Sequence, residues 1–164
     1  MINELILQSK DIDKTKILGE TIGQNLKGGE VIELISDLGG GKTTLTKAIV
    51  KGSGSINDVT SPTFTIRNDY TTNNGLKIAH YDFYRLGEDI GIIKQMLKET
   101  INETSMVNII EWASKEVESL LPVRHVQIYI KVENLLSREF IIKYPNKFNY
   151  LFFHSSKEIF NNSL

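Results

Sequence analysis

Apolar and polar positions along this chain fall into short strand-like runs alternating with amphipathic stretches. Glu4 to Gln8 reads as a short strand. From Asp11 to Lys27, residues Ile12, Ile17, Leu18, Ile22 and Leu26 recur near the helical period. Ser9 or Asp11 can cap that helix, and Gly28-Gly29 can stop it. Val31 to Ile35 is apolar enough for a buried strand, and Thr43 to Lys51 is a helix ended by Gly52. Thr63 to Tyr70 reads as a strand, Asn73-Asn74-Gly75 as a turn, and Leu76 to Asp82 as the next strand. Ile90 to Thr100 is helical, with Ile93 and Leu97 on one side, and Val107 to Glu111 is a strand running into Trp112. Ala113 to Leu120 is a short helix broken by Pro122. Arg124 to Val132 and Glu139 to Tyr144 form a strand pair around Asn134 to Ser137. Strands alternating with helices predict an α/β domain, and no repeat of 20–50 residues interrupts it.

Composition narrows the chemistry. At 164 residues one domain is expected. Nineteen Lys and Arg against twenty Asp and Glu give a formal charge of −1, which argues against a DNA-coating protein. The absence of cysteine removes disulfides, thiolate zinc sites, iron–sulfur clusters and cysteine nucleophiles. His80, His125 and His154 are too dispersed for a histidine zinc site. The first residues have neither the basic start nor the apolar run of a signal peptide. No stretch approaches the ~20 apolar residues of a membrane helix, so a cytoplasmic location is expected. Phe148, Phe152, Phe153 and Phe160 concentrate in the final twenty residues. They predict a domain over 1–145 and an aromatic-rich tail over 146–164, either packed on the core or exposed for a partner.

The sharpest local signal is Ser36-Asp37-Leu38-Gly39-Gly40-Gly41-Lys42-Thr43-Thr44, between a buried strand and a helix. That context makes it a Walker A loop. Its glycines let backbone N–H groups of residues 37–44 converge on an anion, and the helix N-terminus adds positive potential. Lys42 is expected on the β- and γ-phosphates and the Thr43 hydroxyl on Mg²⁺. Thr44 is expected on the α-phosphate. Ser36 stands where the pattern G-x-x-x-x-G-K-[ST] has glycine, and would weaken nucleotide binding if the position needs positive φ.

Two acids end buried strands. Asp82 has the Walker B arrangement and is a Mg²⁺ ligand or, more blandly, a loop cap. Glu111 can orient or deprotonate a water, stand near the metal, or form a structural ion pair. Thr63, in Ser61-Pro62-Thr63-Phe64, lies where nucleotide switches place a γ-phosphate sensor, though an ordinary turn fits equally. His80 shares a strand face with Asp82 and reads as a satisfied core histidine. Trp112 reads as packing. Arg85 is a candidate for phosphate or a partner.

Together these segments resemble the TsaE-like family, small bacterial ATPases of tRNA threonylcarbamoyladenosine synthesis. The resemblance is carried by residues 37–47, Thr60-Ser61-Pro62-Thr63-Phe64, His80-Tyr81-Asp82-Phe83-Tyr84-Arg85-Leu86 and Ile110-Glu111-Trp112. It implies a three-layer, P-loop NTPase-like α/β fold with a mixed, mainly parallel sheet. It further implies Mg²⁺-dependent ATP hydrolysis in support of a TsaB–TsaD pair that modifies adenosine 37 of tRNA, the tRNA being met through that complex. By motif match, Lys42 and Thr43 carry over as phosphate and metal contacts, Asp82 as metal ligand, Thr63 as switch residue and Glu111 as catalytic acid. A small-molecule kinase, a GTPase and a nucleotide-gated binding module are the competing readings. Arg67, Arg85, Arg124 and Arg138 are too scattered for a kinase lid. Asn146-Lys147-Phe148-Asn149 lacks the aspartate that pairs with guanine.

Overall fold

The computed structural model describes residues 1–85 and 89–152. Seven strands form one sheet in the order β1-β7-β6-β2-β5-β4-β3. They are β1 (Ile2–Ser9), β2 (Val31–Ile35), β3 (Arg67–Thr71), β4 (Lys77–Asp82), β5 (Met106–Glu111), β6 (Val126–Val132) and β7 (Arg138–Pro145). The central ladders β6-β2, β2-β5 and β5-β4 are parallel. The ladders toward both edges, β1-β7, β7-β6 and β4-β3, are antiparallel.

Helices α1 (Ile12–Gln24) and α2 (Lys42–Gly52) cover one face, and α3 (Ile90–Lys98) and α4 (Lys115–Glu118) the other. The central strands β2, β4 and β5 are buried on both faces because both are covered. Ile32, Ile78 and Ile109 meet Leu18, Ile22, Leu45 and Ile49, whereas Val31, Ala79 and Ile110 meet Ile93, Leu97 and Val117. This is the α/β domain expected from the alternation, in the three-layer form with a mixed sheet that the resemblance implies.

Boundaries moved where local hydrogen bonds won. Asp11 caps α1, its Oδ1 accepting from Lys14 N at 2.8 Å. α1 stops at Gln24 rather than Lys27, and the Asn25 amide donates back to Thr21 O. β3 starts at Arg67 rather than Thr63 because Pro62 O accepts from both Thr65 N and Ile66 N. The 62–66 turn takes Ile66 to a φ of 70°, an uncommon conformation for a β-branched residue. After β7, Asn146–Leu151 form a 3₁₀ turn, and Phe148, Leu151 and Phe152 enter the α1/α2-side core. Buried Glu30 holds this turn, accepting from the Tyr150 hydroxyl and from Lys27 N and Gly28 N. Phe153, His154 and Phe160 lie outside the described residues, as does Leu86. Among the described residues no helix is long and apolar enough to cross a membrane.

Candidate functional site

The carboxyl ends of β2, β4 and β5 open onto a cavity of about 350 Å³. Ligands bind at this edge in open α/β sheets. Leu38, Gly39, Gly40, Gly41, Lys42, Thr43, Thr44, Thr63, Asp82 and Glu111 all line it, with Tyr84 and Trp112. Residues from four separate segments, expected at one site from motif order, therefore share one wall. Asp37 stands apart: its residue faces a neighbouring hollow, and its carbonyl turns back into the loop.

The loop after β2 curls as its glycines permit. Gly39 and Gly41 have φ of 75° and 108°, and Gly41 leads directly into α2. Gly40 is required for space, since a Cβ there would lie 2.3 Å from Ser36 Oγ. Ser36 is not among the positive-φ residues, so the serine carries no left-handed strain. Its side chain contributes instead. Lys42 Nζ donates to Ser36 Oγ at 2.9 Å, to Ser36 O at 3.0 Å and to Asp37 O at 3.2 Å. The same ammonium sits 3.7 Å from the centroid of the Trp112 ring, a cation–π contact. Burial pushes the Lys42 ammonium below its usual range, partly offset by the carboxylates of Glu111, Asp82 and Asp37.

Asp82 and Glu111 are register partners on the parallel strands β4 and β5. Both are buried. Asp82 Oδ2 accepts from Thr63 Oγ1 at 2.8 Å, and Ser61 Oγ lies 2.7 Å from that threonine. Asp82 Oδ1 accepts from Tyr84 N at 2.9 Å. The strand-end carboxylate thus caps its own loop and also tethers the 60–66 segment. Glu111 Oε1 meets His80 Nε2 at 2.9 Å and Thr46 Oγ1 at 3.1 Å. The next residue, Trp112, has φ of 61° and packs on Tyr84 at 4.9 Å. Of the two bulky residues in left-handed conformation, Trp112 lines the cavity, where such strain is characteristically found, and Ile66 accepts through its carbonyl from Asp82 N at 2.9 Å.

Three neighbours had no site role assigned from sequence. Thr46 lies one helical turn after Lys42, so both reach the sheet from the same helix face. Arg138, read as one of four scattered arginines, donates from Nε to Gly40 O at 3.0 Å. Trp112, read as packing, also touches the loop lysine. The i,i+4 spacing from Lys42 is a signal that could have found Thr46, but no local spacing could have found Arg138, 98 residues from Gly40. Arg85 is placed over the exposed Phe64 ring at 4.1 Å and has no hydrogen bond to the loop.

The donor set is oxygen-only: a threonine hydroxyl and strand-end carboxylates beside an anion cradle. That chemistry fits a hard divalent cation together with a phosphate chain.

The family model described as "Threonylcarbamoyl adenosine biosynthesis protein TsaE" matches residues 9–140. The Bacillus subtilis tRNA threonylcarbamoyladenosine biosynthesis protein TsaE is 37% identical over 123 residues, 73% of this chain and 72% of that protein. The Aquifex aeolicus protein of the same name is 47% identical over 88 residues, 52% of this chain and 64% of its own length. The Rickettsia typhi one is 33% identical over 140 residues, covering 85% and 92%. The crystal structure of Bacillus subtilis YdiB superposes with a TM-score of 0.73 at 31% identity, covering 96% of this chain and 97% of that one.

Proposed function

Because this chain belongs to the TsaE family of threonylcarbamoyladenosine biosynthesis proteins, we propose that it is a Mg²⁺-dependent ATPase serving tRNA adenosine-37 modification with a TsaB–TsaD pair. The observation that carries the reading is the convergence of Lys42, Thr43, Thr63, Asp82 and Glu111 on one cavity.

Amides of the 37–44 loop and the start of α2 bind the phosphates. Lys42 exchanges its three loop oxygens for β- and γ-phosphate oxygens, remaining against Trp112. Thr43 and Asp82 hold Mg²⁺, which supplies charge neutralisation for the phosphate chain. Thr63, tethered to Asp82, reports the γ-phosphate. Glu111 orients the attacking water from the adjacent strand and stands beside the metal. We assign the base to the far side of Thr44, where a groove of about 230 Å³ runs between α1 and the β6–β7 hairpin. There Ile12, Leu135 and Leu136 offer exposed apolar surface beside Arg138. A Leu136→Asp substitution, distant from the phosphates, is expected to lower ATP affinity while leaving kcat near normal; unchanged affinity in a binding titration would remove the groove from the site.

The deciding experiment is Mg-ATP hydrolysis by the purified protein, alone and with a matched TsaB–TsaD pair. Slow turnover that rises on adding the pair is expected. ATP binding without stimulation would favour a kinase or an unrelated switch.

A further inference from the structure

His80 reads from sequence as a satisfied core histidine, yet its contacts are not those of a bystander. It lies on β4 two residues before Asp82, and both side chains share the α2-side face of the sheet with Glu111 on β5. Its ring is fully buried, and so nearly is the Glu111 carboxylate. Nε2 sits 2.9 Å from Glu111 Oε1, whereas Nδ1 is buried with no hydrogen-bond partner. A carboxylate oxygen accepts and does not donate, so the ring nitrogen facing it must supply the hydrogen. An N–H therefore stands at Nε2, directed at the carboxylate. Tyr70 lies alongside the imidazole, its ring centroid 6.4 Å away.

The other donor to Glu111 Oε1 is weaker by arithmetic. The Thr46 hydroxyl has one hydrogen. It lies 3.1 Å from Glu111 Oε1 and also 3.1 Å from Lys42 O, the carbonyl one turn back in α2. Two acceptors divide that hydrogen, while among the described residues His80 Nε2 meets only Glu111. Both donors also meet the same carboxylate oxygen. Held through Oε1 alone, the carboxylate keeps its rotamer and leaves Oε2 for its work in the cavity.

The geometry points to His80 as a positioning residue for hydrolysis: its Nε2–H anchors Glu111 Oε1 and so aims Oε2 at the attacking water. This inference rests on the reading of Glu111 as the carboxylate that orients water. His80 is not among the residues that line the cavity, so it acts on the rate rather than on binding. Outer partners of this kind are worth on the order of tenfold in activity.

The test separates rate from affinity. His80→Leu and His80→Met remove the donor, and His80→Gln restores an N–H at similar reach. Folding is checked by thermal melting, affinity with Mg²⁺ and a non-hydrolysable ATP analogue, and kcat at saturating Mg-ATP. Non-donor variants are expected to lose about tenfold in kcat with analogue affinity held within about twofold. His80→Gln should recover most of the rate. If neither non-donor folds, His80→Asn replaces them: polar, but one methylene short of Glu111, it should match a non-donor. In a Glu111→Ala background, His80→Leu (or His80→Asn) should cost no further rate. The proposal is overturned by proportional losses of rate and affinity, by normal kcat without the donor, by failure of His80→Gln to differ from the non-donors, or by additive losses with Glu111→Ala. If Glu111→Ala itself hydrolyses ATP at the parent rate, the role of Glu111 falls first and this one with it. If Glu111→Ala is slow while His80 variants are normal, only the role of His80 falls.

Discussion

Ser36 shows how a departure from a motif is absorbed by one side chain. Glycine is common at that position because some phosphate loops need its freedom, but here φ is not left-handed. The hydroxyl instead accepts from Lys42 and fills the space beside Gly40. Gly40 cannot then gain a side chain: its Cβ would strike Ser36 Oγ at 2.3 Å and Ser36 Cβ at 2.5 Å. Gly40→Ala is accordingly expected to abolish ATP binding, and adding Ser36→Gly should recover part of it, because the remaining close atom is Asp37 O at 3.0 Å. Titration with a fluorescent ATP analogue measures both; a double variant no better than Gly40→Ala would show that the contact with Ser36 is not the obstacle. Ser36→Gly alone should change affinity little, since it relieves no strain.

At the scale of elements, two features outside the cavity determine how the site is held. Helices α1 and α2 touch backbone to backbone. A Cβ on Gly23 would lie 2.0 Å from Ile49 O, and one on Gly52 2.2 Å from Glu20 O. Gly23→Ala must push α2, and with it the phosphate loop, away from α1. Overpacking of this kind costs about 1–3 kcal/mol, so a lower midpoint in urea is expected; an unchanged midpoint would mean the helices separate freely. On the opposite face, His125 at the start of β6 bridges to β2. Its Nε2 lies 2.8 Å from buried Glu33 Oε2 and its Nδ1 2.8 Å from Pro122 O. Burial disfavours the charged ring, but the hydrogen bonds to Glu33 and Pro122 and the charges of Glu33 and Glu118 outweigh it and raise the His125 pKa above 6.5. A pKa raised on folding adds stability that is fully present below the unfolded value and is lost as pH rises through the folded value. The melting temperature lost in His125→Gln should therefore be larger at about pH 5.5 than at about pH 9; an equal loss at both would leave packing as the sole contribution of this histidine.

For the whole molecule, the cavity joins β2, β4, β5, α2 and the 60–66 segment, so a bound nucleotide ties separate parts of the chain together. A non-hydrolysable ATP analogue with Mg²⁺ should add about 2.7 kcal/mol at a hundred times its dissociation constant. The rise in melting temperature should vanish in Lys42→Ala, and persistence of the full shift there would place the ligand elsewhere. Much of this framework was legible without a fold. Apolar runs and alternation marked the seven strands and a 3.6 period the four α-helices, because the central strands are covered on both faces, outer strands on one, and each helix needed one apolar stripe. The glycine loop and the strand-end acids announced their place because a parallel sheet presents its carboxyl ends along one edge. What local pattern could not carry was contact between distant segments. The 62–66 turn displaced the start of β3 through hydrogen bonds to Pro62 O, overriding an extended-looking run. Arg138 reached Gly40 only when the β6–β7 hairpin folded against the loop. His80 became a partner of Glu111 rather than of Asp82, its neighbour two residues on, because the register that pairs Asp82 with Glu111 brings the Glu111 carboxylate diagonally within reach of the imidazole on the neighbouring strand. The sequence by itself determined the elements and the types of chemistry they bear, since these follow from short-range periodicity and backbone freedom. Which groups share a hydrogen bond was decided by the tertiary structure, because strand register and helix packing, not spacing along the chain, bring those atoms within 3 Å of one another.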